Sequence, residues 1–188
     1  NEALAAAMRV LWMKGYEGAS LSDLTEAMGI NKPSLYAQFD DKRTLFLAAI
    51  EHYKATIGAP HLEKLLEGKT VRETIAGYFS AINTTLTSPD SPSGCMVGAV
   101  ATDMAGRDEE IRTQVANLLV STEVFLTQRF QELGDAPIDE RTLAEIVVSF
   151  GQSLAARARV GATLPELNAR TDRFLSVIFG ADEPVSPD

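Results

Sequence analysis

Residues 20–42, SLSDLTEAMGINKPSLYAQFDDK, decide the fold, because they predict two short helices joined by a tight turn and a third helix directly after them. Ser20 can cap the first of these helices, and Asp23, three positions later, completes a capping box. Leucine and methionine then recur at helical spacing, which predicts one buried face for this helix. Gly29 follows at the point where a residue of left-handed conformation can end a helix and turn the chain.

The second helix of this stretch carries polar and aromatic side chains on its outer face. Asn31 is a good N-cap, and Pro33 lies in the first turn, where its missing N–H costs little. The residues predicted to pack inward are Ile30, Leu35 and Phe39. The residues predicted to face outward are Lys32, Ser34, Tyr36, Ala37 and Gln38. This pattern is typical of a helix-turn-helix, whose second helix lies in the major groove of DNA.

The wider segment 15–46, GYEGASLSDLTEAMGINKPSLYAQFDDKRTLF, closely resembles the DNA-binding domain of the tetracycline-repressor (TetR) family. The marks of the resemblance are Gly15-Tyr16, the small residues before Ser20, Met28-Gly29-Ile30, Leu35-Tyr36, Phe39, Lys42 and Leu45-Phe46. The resemblance, sharp over residues 4–50, implies an all-α protein of about nine helices. It also implies a three-helix helix-turn-helix DNA-binding domain in residues 1–54 and an effector-binding and dimerisation domain in residues 55–188.

Several polar or small side chains are candidates for contact with DNA. Gln38 can read adenine in bidentate fashion, whereas Lys32 can read guanine or bind phosphate. Lys42, at the start of the fourth predicted helix, would combine its charge with free backbone N–H groups to hold a phosphate. For each candidate the alternative is a solvated surface residue without a role. The full set is Ser20, Ser22, Lys32, Ser34, Tyr36, Ala37, Gln38 and Lys42.

The distribution of charge separates the two predicted domains. The chain of 188 residues has a net charge of −9, which argues against nonspecific binding of nucleic acid by the chain as a whole. Residues 1–54 hold six Lys and Arg against seven Asp and Glu, a net charge of −1. The remainder holds eleven against nineteen, a net charge of −8. The acidic residues therefore lie away from the predicted DNA-binding face.

The sequence also bounds other classes of protein. No apolar run approaches the roughly 18 residues that cross a membrane, and we expect no secretory signal. A single cysteine excludes an internal disulfide and fits a reducing cytosol, so we expect a cytoplasmic protein. With His52 and His61 as the sole histidines, a zinc site is not expected, and we predict no cofactor. No nucleophile elbow and no phosphate-binding loop occurs, so we predict no enzymatic activity.

Beyond the connecting helix, apolar spacing predicts helices over 71–86, 94–104, 108–133, 139–160 and 164–179. In the TetR family these helices usually enclose a small-molecule effector. The candidate wall residues are Tyr78, Phe79, Met96, Met104 and Phe125. Core packing uses the same residue types as a pocket wall, so the sequence leaves both roles open.

The last two predicted helices carry apolar residues with no further chain to cover them. We therefore expect them to pair with a second copy as a four-helix bundle, through Phe150, Leu154, Phe174 and Ile178.

Cys95, the single thiol, follows a Pro-rich break at a predicted helix start, where thiolate is favoured. The segment SGCMVGAV, residues 93–100, resembles a Gly-Cys-apolar segment in a subset of TetR-family proteins, some of which respond to reactive compounds through cysteine. The alternative for Cys95 is an inert, small core residue.

These features together predict a homodimeric, ligand-responsive transcriptional repressor of bacterial type that binds a palindromic operator and is released by a small-molecule effector. An all-α carrier or enzyme with an incidental helical corner is the alternative from another class. A constitutive architectural DNA-binding protein without a ligand is a third. Specific DNA binding with a steep salt dependence would separate the first from the second, and a ligand screen would separate it from the third.

Overall fold

The computed structural model describes residues 2–180, and these residues form helices and no strand. The α-helices are α1 Glu2–Gly18, α2 Leu21–Met28, α3 Lys32–Phe39, α4 Lys42–Tyr53, α5 Ala59–Lys64, α6 Val71–Leu86, α7 Thr102–Ala105, α8 Glu109–Leu133, α9 Glu140–Arg159 and α10 Leu164–Phe179. Two π-helical segments, Lys54–Gly58 and Val97–Ala101, join α4 to α5 and lead into α7. The described residues therefore form nine continuous helical stretches, and the prediction of an all-α fold is confirmed.

The ends of α2, α3 and α4 are set by the residues that the sequence indicates. Ser20 accepts a hydrogen bond from the Asp23 backbone, and the Asp23 carboxylate accepts one from the Ser20 backbone, which completes the predicted capping box. Gly29 ends α2 in a left-handed conformation with φ 66° and ψ 28°. Asn31 caps α3, and Asp41 caps α4. These local rules place the three helices as a helix-turn-helix followed by a connecting helix.

Two predicted helix breaks take a specific form in the structure. Gly15 and Gly18 are predicted to stop α1, and the helix ends at Gly18 with a kink at Gly15, whose φ is 76° and ψ 170°. Gly58, Ala59 and Pro60 are predicted to end or kink the connecting helix, and there a π-helical turn, Lys54–Gly58, leads from α4 into α5. Pro60 lies in the first turn of α5, where the missing N–H is tolerated, and this explains the continuity.

The interior consists of two apolar clusters, and they do not follow the predicted boundary between residues 54 and 55. The first cluster contains the core of α1–α4, here called the head, and also the buried side chains of the segment 96–115. The second contains the core of α6, α9 and α10 with part of α8, here called the body. Cys95 and Leu119 pack against both clusters. The head therefore completes its core with a segment that follows α6 in the chain.

Candidate DNA-binding surface

The outer face of α3 is exposed as the sequence predicts. Leu35 and Phe39 are buried and fix the helix on the head, while Tyr36 has 44% of its surface exposed. The other outward residues, Lys32, Ser34, Ala37 and Gln38, are likewise exposed. Because two apolar side chains fix α3 on the head, its exposed side chains can enter a DNA groove without disturbing that packing.

At the N-terminus of α2, one of the two predicted serine hydroxyls is engaged within its own helix. The Ser20 hydroxyl donates to the Asp23 carboxylate at 2.8 Å and accepts from the Asp23 N–H at 3.0 Å, so its proton is already used within the capping box. The Lys14 ammonium, 2.7 Å from Asp23, and the Ser20 backbone N–H hold the pKa of that carboxyl down to about 2. Ser22 is exposed on the first turn, where its hydroxyl remains available to a phosphate.

The N-terminus of α4 is the most organised part of the surface. Lys42 is the first residue of α4, and its ammonium lies 4.6 Å from the centroid of the Tyr16 ring. Tyr16 packs edge-on against buried Phe46 with a ring separation of 5.2 Å. Burial, together with the negative charge of Asp41, raises the pKa of Tyr16, so its hydroxyl stays protonated. The cation is thus held over an aromatic face beside free N–H groups, the arrangement that binds a phosphate oxygen.

Arg43, the neighbour of Lys42, turns away from this surface and joins the head to α8. Its guanidinium donates to both carboxylate oxygens of Asp108, at 2.5 and 2.9 Å, and to Glu110 at 2.8 Å. The pairing with Arg43 and the Ile111 N–H hold the pKa of Asp108 down to about 2. The sequence does not indicate this role of Arg43, because its partners lie 65 and 67 positions away and no local pattern connects them.

The two apolar clusters meet at a group of aromatic residues around Cys95. The Tyr53 hydroxyl donates to the Cys95 sulfur at 3.3 Å, and the Trp12 ring packs edge-on against Tyr53 at 5.1 Å. Burial, reinforced by the neighbouring thiol, raises the pKa of both Tyr53 and Tyr78. The indole N–H of Trp12 is fully buried and has no hydrogen-bond partner among the described residues. At this junction, therefore, the Tyr53 hydroxyl has a weak sulfur acceptor, and the Trp12 N–H has no acceptor among the described residues.

The predicted effector-wall residues divide between the two clusters. Tyr78 and Phe79 belong to the second cluster, against which Phe125 also packs, whereas Met96 and Met104 belong to the first. All except Phe125 are buried. The five side chains therefore do not belong to a single core.

The predicted dimer residues lie on α9 and α10, where an aromatic group reaches the surface. The Phe150 and Phe174 rings stack at 4.3 Å, and both contact Phe79 edge-on. An open cleft of about 610 Å³ is lined by Glu145, Ile146, Ser149, Phe150 and Phe174. Ile178 is half-buried beside them, whereas Leu154 is fully buried within its own chain and offers no surface to a partner.

Two further properties concern the described part of the chain as a whole. Across residues 2–180, no helix has the length and apolar character that a membrane span requires. The same range brings together no group of three or more His, Cys, Asp or Glu side chains suited to a metal ion.

Comparison with known proteins agrees with this geometry. The family model of bacterial regulatory proteins of the tetR family matches residues 3–49, and that of the LmrA/YxaF-like transcriptional regulator C-terminal domain matches residues 71–159. The HTH-type transcriptional repressor ComR of Escherichia coli (strain K12) is 36% identical over 174 residues, which are 89% of this chain and 82% of ComR. A solved structure of the TetR family transcriptional regulator CifR, a cysteine mutant complexed with 26-bp double-strand operator DNA, is 32% identical with a TM-score of 0.85. The similarity to CifR covers 92% of this chain and 93% of that chain. The chain therefore belongs to the TetR family of bacterial regulatory proteins, and it is a DNA-binding transcriptional regulator.

Proposed function

We propose that the protein is a cytoplasmic, homodimeric repressor that binds a palindromic operator through α3 and the N-termini of α2 and α4, and leaves it when a small molecule binds. The observation that carries the proposal is the exposed face of α3 beside Lys42, whose cation is already held over Tyr16. The similarity to ComR, a repressor, and to CifR, whose structure contains operator DNA, supports the same conclusion.

On this surface the contacts have different tasks. Lys42 and Ser22 hold the phosphate backbone, which fixes position without reading sequence. Lys32, Ser34, Tyr36, Ala37 and Gln38 face the groove and read base edges. Ser20 acts by keeping α2 capped, because both its hydroxyl proton and its backbone N–H are donated to Asp23. Substitution of Gln38 should therefore change which operator is preferred, whereas substitution of Lys42 should weaken all operators alike.

The dimer in this proposal forms through α9 and α10. Support comes from Phe150, Phe174 and Ile178, which are only half-buried, together with Val177, which has 83% of its surface exposed. Leu154 supports this face from behind. A twofold pair places the two α3 helices on successive major grooves of one side of the duplex, about 34 Å apart.

The effector in this proposal is small and largely apolar, and it binds where the two clusters meet, among Tyr78, Phe79, Met96, Met104 and Phe125. Cys95 at the same junction is the residue through which a thiol-reactive signal would act; its sulfur accepts hydrogen bonds from the Tyr53 hydroxyl and, at 3.5 Å, from the Gly98 N–H. Alkylation would add bulk there and displace the segment that completes the core of the head.

The first experiment tests operator binding. Overlapping DNA fragments from the region flanking the coding sequence are titrated by fluorescence anisotropy at several salt concentrations, with the native protein and Tyr36→Ala. We expect one palindromic fragment to bind with a steep salt dependence and Tyr36→Ala to bind it more weakly with unchanged thermal unfolding. If every fragment binds equally, or if Tyr36→Ala binds like the native protein, the proposed surface is wrong.

The second experiment tests the effector. In a screen of small apolar compounds followed by thermal unfolding, a ligand at 100 times its dissociation constant stabilises the protein by about 2.7 kcal/mol. A true effector also releases the operator.

A third experiment tests the thiol: the native protein and Cys95→Ser are treated with N-ethylmaleimide, and adduct formation is followed by mass spectrometry. If Cys95 is fully modified and operator affinity does not change, Cys95 has no sensing role.

A further inference from the structure

One side chain connects three parts of the molecule that are distant in sequence. The Arg159 guanidinium, at the end of α9, donates to the carbonyl oxygens of Trp12 at 3.1 Å, Met13 at 3.2 Å and Ser93 at 3.3 Å. Trp12 and Met13 lie in α1 of the head, and Ser93 lies in the loop that leads to Cys95. A helix of the predicted dimer face is thereby joined to the head and to the junction between the two clusters.

The α1 carbonyls need such a partner because of the kink that follows them. The left-handed conformation of Gly15 interrupts the ladder of helical hydrogen bonds, and the carbonyls of the preceding turn are then satisfied from outside. A guanidinium is well suited to this place, since a cation at the C-terminal end of a helical segment interacts favourably with its dipole. Arg159 thus acts as a C-terminal cap for α1 supplied from the other end of the chain.

The aliphatic part of the Arg159 side chain packs against the loop before Cys95. Gly94 has φ 83°, and a Cβ built on it would lie 3.1 Å from the Arg159 Cβ and 3.0 Å from the Ala155 carbonyl oxygen. The loop backbone therefore packs directly on α9 at a distance that only glycine permits without a shift. A displacement of this loop would move the guanidinium, the α1 carbonyls, or both.

From the capped end of α1 the chain leads at once to the DNA-binding surface. Lys14 forms an ion pair with Asp23, which completes the capping box of α2, and the Lys42 ammonium lies over the Tyr16 ring. Both residues lie within four positions of the carbonyls that Arg159 holds. The direction in which α1 leaves its kink therefore sets the position of α2 and the N-terminus of α4 relative to α9.

We propose that Arg159 is a positioning residue that fixes the orientation of the head on the body, and so sets the distance between the two α3 helices of the dimer. The inference rests on the dimeric operator binding proposed above and goes beyond it. The ion pair between Arg43 and Asp108 joins α4 to the N-terminus of α8, whereas Arg159 joins α1 to the C-terminal end of α9, the helix that carries Phe150. Arg159 belongs to α9 and is hydrogen-bonded through its guanidinium to both α1 and the 93–95 loop.

The test measures selectivity for half-site spacing, which a loss of stability alone would leave unchanged. Operators with the natural spacing and with one base pair added or removed are titrated with the native protein, Arg159→Gln and Arg159→Lys. Each added base pair moves one half-site by about 3.4 Å and rotates it by roughly a tenth of a turn. We expect the native protein to prefer the natural spacing by about tenfold or more. Arg159→Gln should reduce that preference to about threefold or less without a smaller salt slope, because no phosphate contact is lost.

Arg112→Gln is the matched control, since it removes the charge of one exposed arginine in the first turn of α8. It should retain the native selectivity. Arg159→Lys, which keeps the charge but has fewer fixed donors, should give an intermediate selectivity and also serves if Arg159→Gln does not fold.

The outcomes separate this inference from the proposed function. If the native protein binds no palindromic operator, the proposed function fails. If the native protein binds one but tolerates altered spacing, or if both Arg159 variants bind all spacings with the native preference, the positioning role is overturned. An equal loss of affinity at every spacing would also overturn it, because it would indicate a purely structural role.

Discussion

Replacement of Lys42 by glutamine should weaken operator binding by an amount that depends on salt in a predictable way. Each Lys42 ammonium stands at the first turn of α4 and is oriented by the Tyr16 ring, so we assign it one phosphate. Two protomers then lose two phosphate contacts. At a slope of about 0.9 per phosphate, the plot of log affinity against log salt should become about 1.8 less steep. Between 50 and 200 mM salt, the deficit of the variant should therefore shrink by about 12-fold.

The assay is a titration of labelled operator at four or more salt concentrations, with Lys69→Gln as the control. Lys69 lies exposed in the turn between α5 and α6, so this control removes the same charge far from α3. It should leave the salt slope at the native value. A native slope in Lys42→Gln would refute the reasoning, because a lysine that displaces no counterion does not touch the backbone of the DNA.

Tyr16→Leu separates the charge of Lys42 from its orientation. The substitution removes the aromatic face 4.6 Å from the ammonium but leaves the ammonium itself. We expect weaker binding by roughly 0.5–1 kcal/mol, the value of an exposed cation–π contact, with the native salt slope. If the slope also falls, Tyr16 contributes to holding the phosphate by itself and not only through Lys42.

Three further substitutions test other parts of the structure. Asp108→Asn should lower the free energy of unfolding at pH 7; since the native pKa of about 2 lies below the ordinary value of 3.8, the carboxylate stabilises the fold fully above about pH 4. The difference from the native protein, followed by urea unfolding, should vanish as pH falls through about 2. Phe174→Asp should give monomers by analytical ultracentrifugation, because it buries a charge in an apolar seam, whereas Val120→Asp, on an exposed position of α8, should remain dimeric. Gly68→Ala should cost about 1–3 kcal/mol in thermal unfolding, because its Cβ would overlap the backbone of Thr74, and native stability would show that this turn can shift.

The features that the sequence predicts correctly are those whose causes are local. The N-caps of α2, α3 and α4 each join residues three positions apart, as with Ser20 and Asp23, and Gly29 ends α2 by its own conformational freedom. Apolar spacing likewise predicts the observed bounds of α6 and α10, because residues three or four positions apart lie on the same face of a helix.

Long-range polar contacts could not be predicted in this way. Asn83, fully buried on α6, donates to Asn168 at 3.0 Å and to Thr171 at 3.1 Å, both on α10. Nothing near Asn83 in the sequence indicates a buried amide, since its partners are 85 and 88 positions away. The bond from Arg159 to Trp12 spans 147 positions and is equally invisible.

The division into domains at residues 54 and 55 remains a prediction, and the packing of the head shows why chain order alone is a weak guide to it. Met96, Val100 and Met104 lie in the same cluster as Trp12 and are buried, although the whole of α5 and α6 separates them from the head in sequence. Close-packed interiors transmit displacement instead of absorbing it. A ligand that moved the 96–104 segment would therefore repack the core of the head directly, in addition to any shift of the connecting helix. In this protein the core of the head is incomplete without the segment next to Cys95, and a change at the proposed effector site would therefore be a change within the DNA-binding unit.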